Sequence, residues 1–73
     1  MMYERECRAA VEMLLAGRVD LGSRKAVKRA LLRAEAVPLP VLQRAPVYEA
    51  FVSHCMARAK MERLERFVRR MRH

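Results

Sequence analysis

Two cysteines and two histidines, Cys7, His54, Cys55 and His73, carry the most reactive side chains of this 73-residue chain. A thiolate beside an imidazole is a nucleophile, and three or four convergent ligands of this kind would hold zinc. The spacing argues against both. His54 and Cys55 are adjacent, and neighbours on a helix point about 100° apart. Cys7 stands far from that pair in the chain, with no ligand-pair spacing. His73 is the terminal residue, where helices fray. Glu4, Glu6 and Glu12 lie among arginines and read as helix-surface acids, not as paired catalytic carboxylates. No glycine-rich loop is present to cradle a phosphate. The expectation is a non-enzyme with no catalytic residue, no metal site and no cofactor. Two cysteines so far apart make no disulfide framework, so buried thiols in a cytosolic chain are expected.

What remains is binding chemistry. The stretch RKAVKRALLR, residues 24–33, holds five basic residues and no acid. Residues 58–73 hold seven basic residues and two acids, Glu62 and Glu65. Together these patches carry more than the whole net charge of +8, on an otherwise slightly acidic body. Clustered positive charge points to a polyanionic partner, either nucleic acid or an acidic protein surface. Arginine outnumbers lysine thirteen to three, and arginine suits bidentate contact with phosphate or carboxylate, although a GC-rich genome would produce the same bias.

These groups need elements to position them. At this length a chain forms one domain, near the lower limit for an unaided core. Helix-forming residues dominate, and only two glycines and three prolines interrupt them. Tyr3, Cys7, Ala10, Val11 and Leu14 form one helical stripe, with Gly17 as a stop and Glu4–Arg8 and Arg8–Glu12 as i,i+4 pairs on the other side. Ser23 is a candidate N-cap for a second helix reaching about Ala36. Its inner side is Val27, Ala30, Leu31 and Ala34, and its outer side is Arg24, Lys25, Lys28, Arg29 and Arg33. The prolines of VPLP end that helix, and PVLQRA has room for one further turn. A last helix starts at Pro46 and can run to the C-terminus, about 40 Å. The expected fold is all-α: a compact three- or four-helix domain with a long C-terminal helix, residues 1–73 making a single small helical domain.

The long helix carries two apolar faces. Its first half presents Phe51, Val52, Cys55, Met56 and Ala59. Its second half presents Met61, Leu64, Phe67, Val68 and Met71, centred well over a quarter-turn further round. Met61, Leu64, Val68 and Met71 have a/d heptad spacing. That stripe either completes the domain's core or meets another chain. A second copy joined along it would set Arg63, Arg66, Arg69 and Arg70 beside the seam. Self-association would then be weak and would strengthen with salt, whereas contact with an acidic partner would weaken with salt. Glu62 and Glu65, one helical turn before Arg66 and Arg69, satisfy part of the arginine charge internally.

Nucleic acid and protein remain rival partners for the basic face. Tyr3, Tyr48, Phe51 and Phe67 sit mainly on packing stripes, so base stacking is poorly served. VLQRA is too short for a recognition helix, even with Gln43 and Arg44 as base readers. Leu32 lies among the basic residues, and an apolar anchor inside a charged rim is the pattern of a protein interface. The candidate partner or nucleic-acid contacts are Arg24, Lys25, Lys28, Arg29, Leu32 and Arg33, with Arg63, Arg66, Arg69 and Arg70.

In size, charge and helix content the chain resembles small, basic, helical regulators encoded by bacteriophages that bind host RNA polymerase. RKAVKRALLR and ARAKMERLERFVRRMRH carry that resemblance. It implies a partner class, a polymerase subunit surface close to nucleic acid. The expected function is regulation of gene expression by docking on transcription machinery through a basic helical surface. The alternative is direct, largely non-specific DNA or RNA binding, by a single chain or by a homodimer. No apolar run approaches a membrane span, and MMYERECR resembles neither a secretory signal nor a transit peptide, so the expected location is the cytoplasm of a bacterium or infected cell.

Overall fold

A computed structural model describes residues 3–72, and His73 lies outside them. Four helices follow one another: α1 (Glu4–Ala16), α2 (Arg24–Arg33), α3 (Leu39–Leu42) and α4 (Ala45–Met71). The fold is all-α, and its long dimension of 45 Å is set by α4, whose 27 residues span about 40 Å.

The apolar stripes explain the packing. Cys7, Ala10, Val11 and Leu14 of α1 are buried against Phe51, Val52, Cys55 and Ala59 of α4. Val27 and Leu31 of α2, Leu21 of the α1–α2 loop, and Val37 and Val41 from the α3 region close the core. Contacts advance in the same direction along α1 and α4: the Cys55 thiol hydrogen-bonds Cys7, and further on Glu12 meets Arg66 at 3.4 Å. α2 runs back the other way: the loop before it borders Lys60 and Leu64, Arg24 reaches Ser53 and Glu49, and Lys28 ends on Glu49.

Local rules set the boundaries. Ser23 Oγ accepts the Ala26 N–H at 3.1 Å, the capping bond expected at that position. Glu4 and Glu6 lie at the positive end of the α1 dipole, and Arg69 and Arg70 at the negative end of α4. Gly17 caps α1, but the left-handed turn falls one residue later, at Arg18 (φ 54°). α2 stops at Arg33, short of Ala36. The reason is Glu35 at φ 52°, whose N–H bonds Leu32 O while the Ala36 N–H bonds Leu31 O. This pair of bonds is a Schellman ending built on glutamate where glycine is usual. The reversal directs Pro38 and Pro40 into α3, so Leu39 and Leu42 come to lie beside the end of α2.

Candidate functional site

α2 divides its charge between two directions. Arg24 donates from Nε and Nη2 to Glu49 Oε1 (3.0 and 2.7 Å), from Nη2 to the Glu49 carbonyl (2.7 Å) and from Nη1 to Ser53 Oγ (2.9 Å). Lys28 Nζ reaches the other Glu49 oxygen at 2.6 Å and lies 5.5 Å from the Tyr48 ring centroid. The hydrogen bonds from Lys28 and Arg24 hold the Glu49 carboxyl below its ordinary value. Two of the five α2 cations thus clamp α2 onto α4. Their acidic partner is 21 to 25 residues away in the sequence, too remote for helical spacing to reveal.

Lys25, Arg29, Leu32 and Arg33 point outward. At about 100° per residue they share one arc of α2, and all four are exposed. Leu32 lines an open pocket of about 340 Å³ with Glu35, Val37, Leu39 and Leu42. Leu39 and Leu42, both exposed, belong to this surface; helical spacing does not reveal them, because only the turn at Glu35 brings them to Leu32. The result is three leucines at one end of a helix bearing three outward cations.

The second patch is the distal half of α4. Met61, Leu64, Phe67, Val68 and Met71 are all exposed, Leu64 to 62%, so this stripe is not core in the single chain. At about 100° per residue it lies on nearly the opposite side of α4 from Phe51, Val52, Cys55 and Ala59. The side that continues the core face is instead polar. There Arg66 bridges Glu62 (3.7 Å) and Glu12 of α1 (3.4 Å). Arg63, Arg66, Arg69 and Arg70 are all exposed, and Arg66 shares its charge with Glu62 and Glu12. Among the described residues Arg8 makes no ion pair with Glu4 or Glu12; Glu12 turns to α4 instead. Beside the stripe, Leu64 and Phe67 border a pocket with Asp20, Leu21 and Gly22 of the α1–α2 loop.

The thiols stand apart from both patches. Cys7 and Cys55 are fully buried and not joined by a disulfide. Burial pushes the Cys55 thiol up to about 12 and raises Cys7 as well, although the hydrogen bond from Cys55 pulls Cys7 partly back. A thiol held protonated in an apolar core is a poor nucleophile. His54 is half-buried on α4. Among the described residues no group of three His, Cys, Asp or Glu side chains could hold a metal ion, and no helix is long and apolar enough to cross a membrane.

No protein-family model, curated protein or solved structure matches this chain. Its functional reading therefore rests on the two exposed patches. Each sets large apolar side chains beside arginine. A phosphate-gripping surface gains nothing from exposed leucines, because phosphate contacts come from charge and hydrogen bonds. An apolar centre with a charged rim is the composition of a protein-binding surface.

Proposed function

We propose that this chain is a non-enzymatic regulator of gene expression that docks on an acidic protein surface of the transcription machinery, such as a subunit of bacterial RNA polymerase. The observation that carries the docking is the outward side of α2 and α3. Leu32, Leu39 and Leu42 cluster there at the end of a helix lined by Lys25, Arg29 and Arg33, after Arg24 and Lys28 have been spent on Glu49. The leucines supply apolar area to be desolvated, and the cations steer the approach and select acidic partners. The resemblance to small basic phage regulators supports transcription machinery as the partner class.

Binding of labelled protein to purified bacterial RNA polymerase, measured with and without nuclease treatment, tests the proposal. Nuclease-resistant binding that weakens with Leu32→Ala and with added salt is the expected result. Binding that vanishes with nuclease, or a polymerase affinity equalled by bare duplex DNA and indifferent to Leu32→Ala, would replace docking with direct nucleic-acid binding.

A further inference from the structure

The distal half of α4 offers a second interface, and its occupant can be read from the register. With Met61 and Val68 at a, Leu64 and Met71 fall at d. The same frame runs back through Ala57 and Ala50, two exposed small side chains at d. Of the buried residues of α4, Val52, Cys55 and Ala59 occupy b and f, on the side away from the a/d seam, and Phe51 occupies e, before the distal segment begins. Four exposed apolar seam positions are what a partner helix requires.

The flanking positions fit a second copy of the same helix. In a parallel pair each g position faces the e′ position five residues further along the other chain. Here g is Lys60 and then Phe67, while e is Glu65 and then Arg72. Lys60 therefore faces Glu65′, and Phe67 faces Arg72′, each twice by symmetry. The first contact is an ion pair and the second a cation over an aromatic ring. Arg63, Arg66, Arg69 and Arg70, which sequence reasoning set beside the seam, fall at c, f, b and c. They point away from it, and Arg66 is already tied to Glu12 and Glu62. Lys60 and Glu65 are thus opposite in sign where two copies match, and Arg72 at e meets an aromatic ring supplied by the same sequence.

We propose that the distal half of α4 pairs in parallel, in register, with the same segment of a second copy. The dimer places two α2–α3 docking surfaces on one particle, with the two cores on its outer flanks. The pairing is independent of what those surfaces bind. With only two complete heptads it is weak and concentration-dependent.

Sedimentation equilibrium across a concentration series tests the pairing through a charge swap. Wild type should approach twice the monomer mass as concentration rises, and Leu64→Asp should stay monomeric with its helical circular dichroism retained. Lys60→Glu should weaken association by about tenfold, since attraction becomes repulsion at two symmetric contacts. Adding Glu65→Lys should restore it. Those two residues are five apart on one helix and do not face each other within a chain, so rescue requires the second copy. Leu64→Cys should cross-link under mild oxidation by glutathione disulfide, as facing d positions of a parallel pair do, while Arg66→Cys should not. A monomer at every concentration would overturn the proposal. So would dimers insensitive to Leu64→Asp, a swap without rescue, or tighter binding of an acidic helical peptide than of a second copy.

Discussion

Leu31 and Leu32 are the same side chain at adjacent positions with opposite surroundings, which makes them a sharp test of the proposed docking surface. Leu31 is fully buried among α1, α2 and α4, whereas Leu32 is 49% exposed. Truncating a buried leucine to alanine costs about 2–5 kcal/mol in lost transfer energy and residual cavity. A domain of this size holds roughly 4–11 kcal/mol in total, at about 0.05–0.15 per residue. Leu31→Ala should therefore remove a large share of the stability. At about 4–8 °C per kcal/mol, a loss of about 3 kcal/mol lowers Tm by roughly 12–24 °C. Leu32→Ala empties no cavity and gains slightly in helix propensity, so its stability should stay within about 0.5 kcal/mol of wild type. Its cost should appear in binding, on the order of 1–2 kcal/mol, or roughly five- to thirtyfold in affinity for RNA polymerase. Thermal melts by circular dichroism and a polymerase titration, run on both variants, read the two effects separately. The reasoning fails if Leu32→Ala melts as early as Leu31→Ala. It also fails if Leu32→Ala binds polymerase as tightly as wild type.

Further outcomes follow from local chemistry. Ser23→Ala should lose about 1 kcal/mol in urea denaturation, because the Ala26 N–H loses its acceptor. Glu35→Gly should gain about 0.5–1 kcal/mol in the same assay, since relief at φ 52° outweighs the added backbone freedom of glycine. The fold holds Cys55 protonated, with its thiol raised to about 12 from an ordinary 9.0, so stability is fully present below pH 9 and falls between pH 9 and 12, by at most about 1.4 kcal/mol per unit. Thiol-reactive dyes at neutral pH should accordingly label Cys7 and Cys55 only as fast as the protein opens, and prompt native-state labelling would refute their burial. The Glu49 carboxyl is lowered from 4.5 by Lys28 and Arg24, so its contribution holds above that value and fades as pH falls below it; Glu49→Gln should flatten the acid side of the stability curve.

The parts of this fold legible in the sequence are those governed by near neighbours. The α1 stripe, the proximal and distal faces of α4 and the Ser23 cap all follow from helical spacing and one side-chain oxygen, and each stands where that spacing puts it. Helix lengths read from the sequence already leave α4 too long for its two neighbours to cover, and the exposure of Met61, Leu64, Val68 and Met71 removes the core alternative for the distal stripe. What escaped the sequence depends on distant residues or on unusual backbone. Nothing local marks Glu35 for a left-handed conformation, so helical spacing extends α2 to about Ala36 and gives no sign that Leu32 meets Leu39 and Leu42. Glu49 is an unremarkable acid until α2 folds back onto α4, and then it claims Arg24 and Lys28 from a basic face counted as five strong. The hydrogen-bonded meeting of Cys55 with Cys7 is likewise a product of topology.

Among the described residues none beyond Ala59 is buried. The last three turns of α4 are thus a cassette on a finished scaffold. Rewriting them forfeits little more than the exposed tie between Arg66 and Glu12, worth well under about 1 kcal/mol. Drift in that segment can change which chain the helix recognises while the hydrophobic centre is untouched, so an altered binding specificity is reachable by single steps that never pass through an unfolded intermediate. The same property makes residues 60–71 a natural grafting point: a different heptad sequence placed there would give the same small domain a new address.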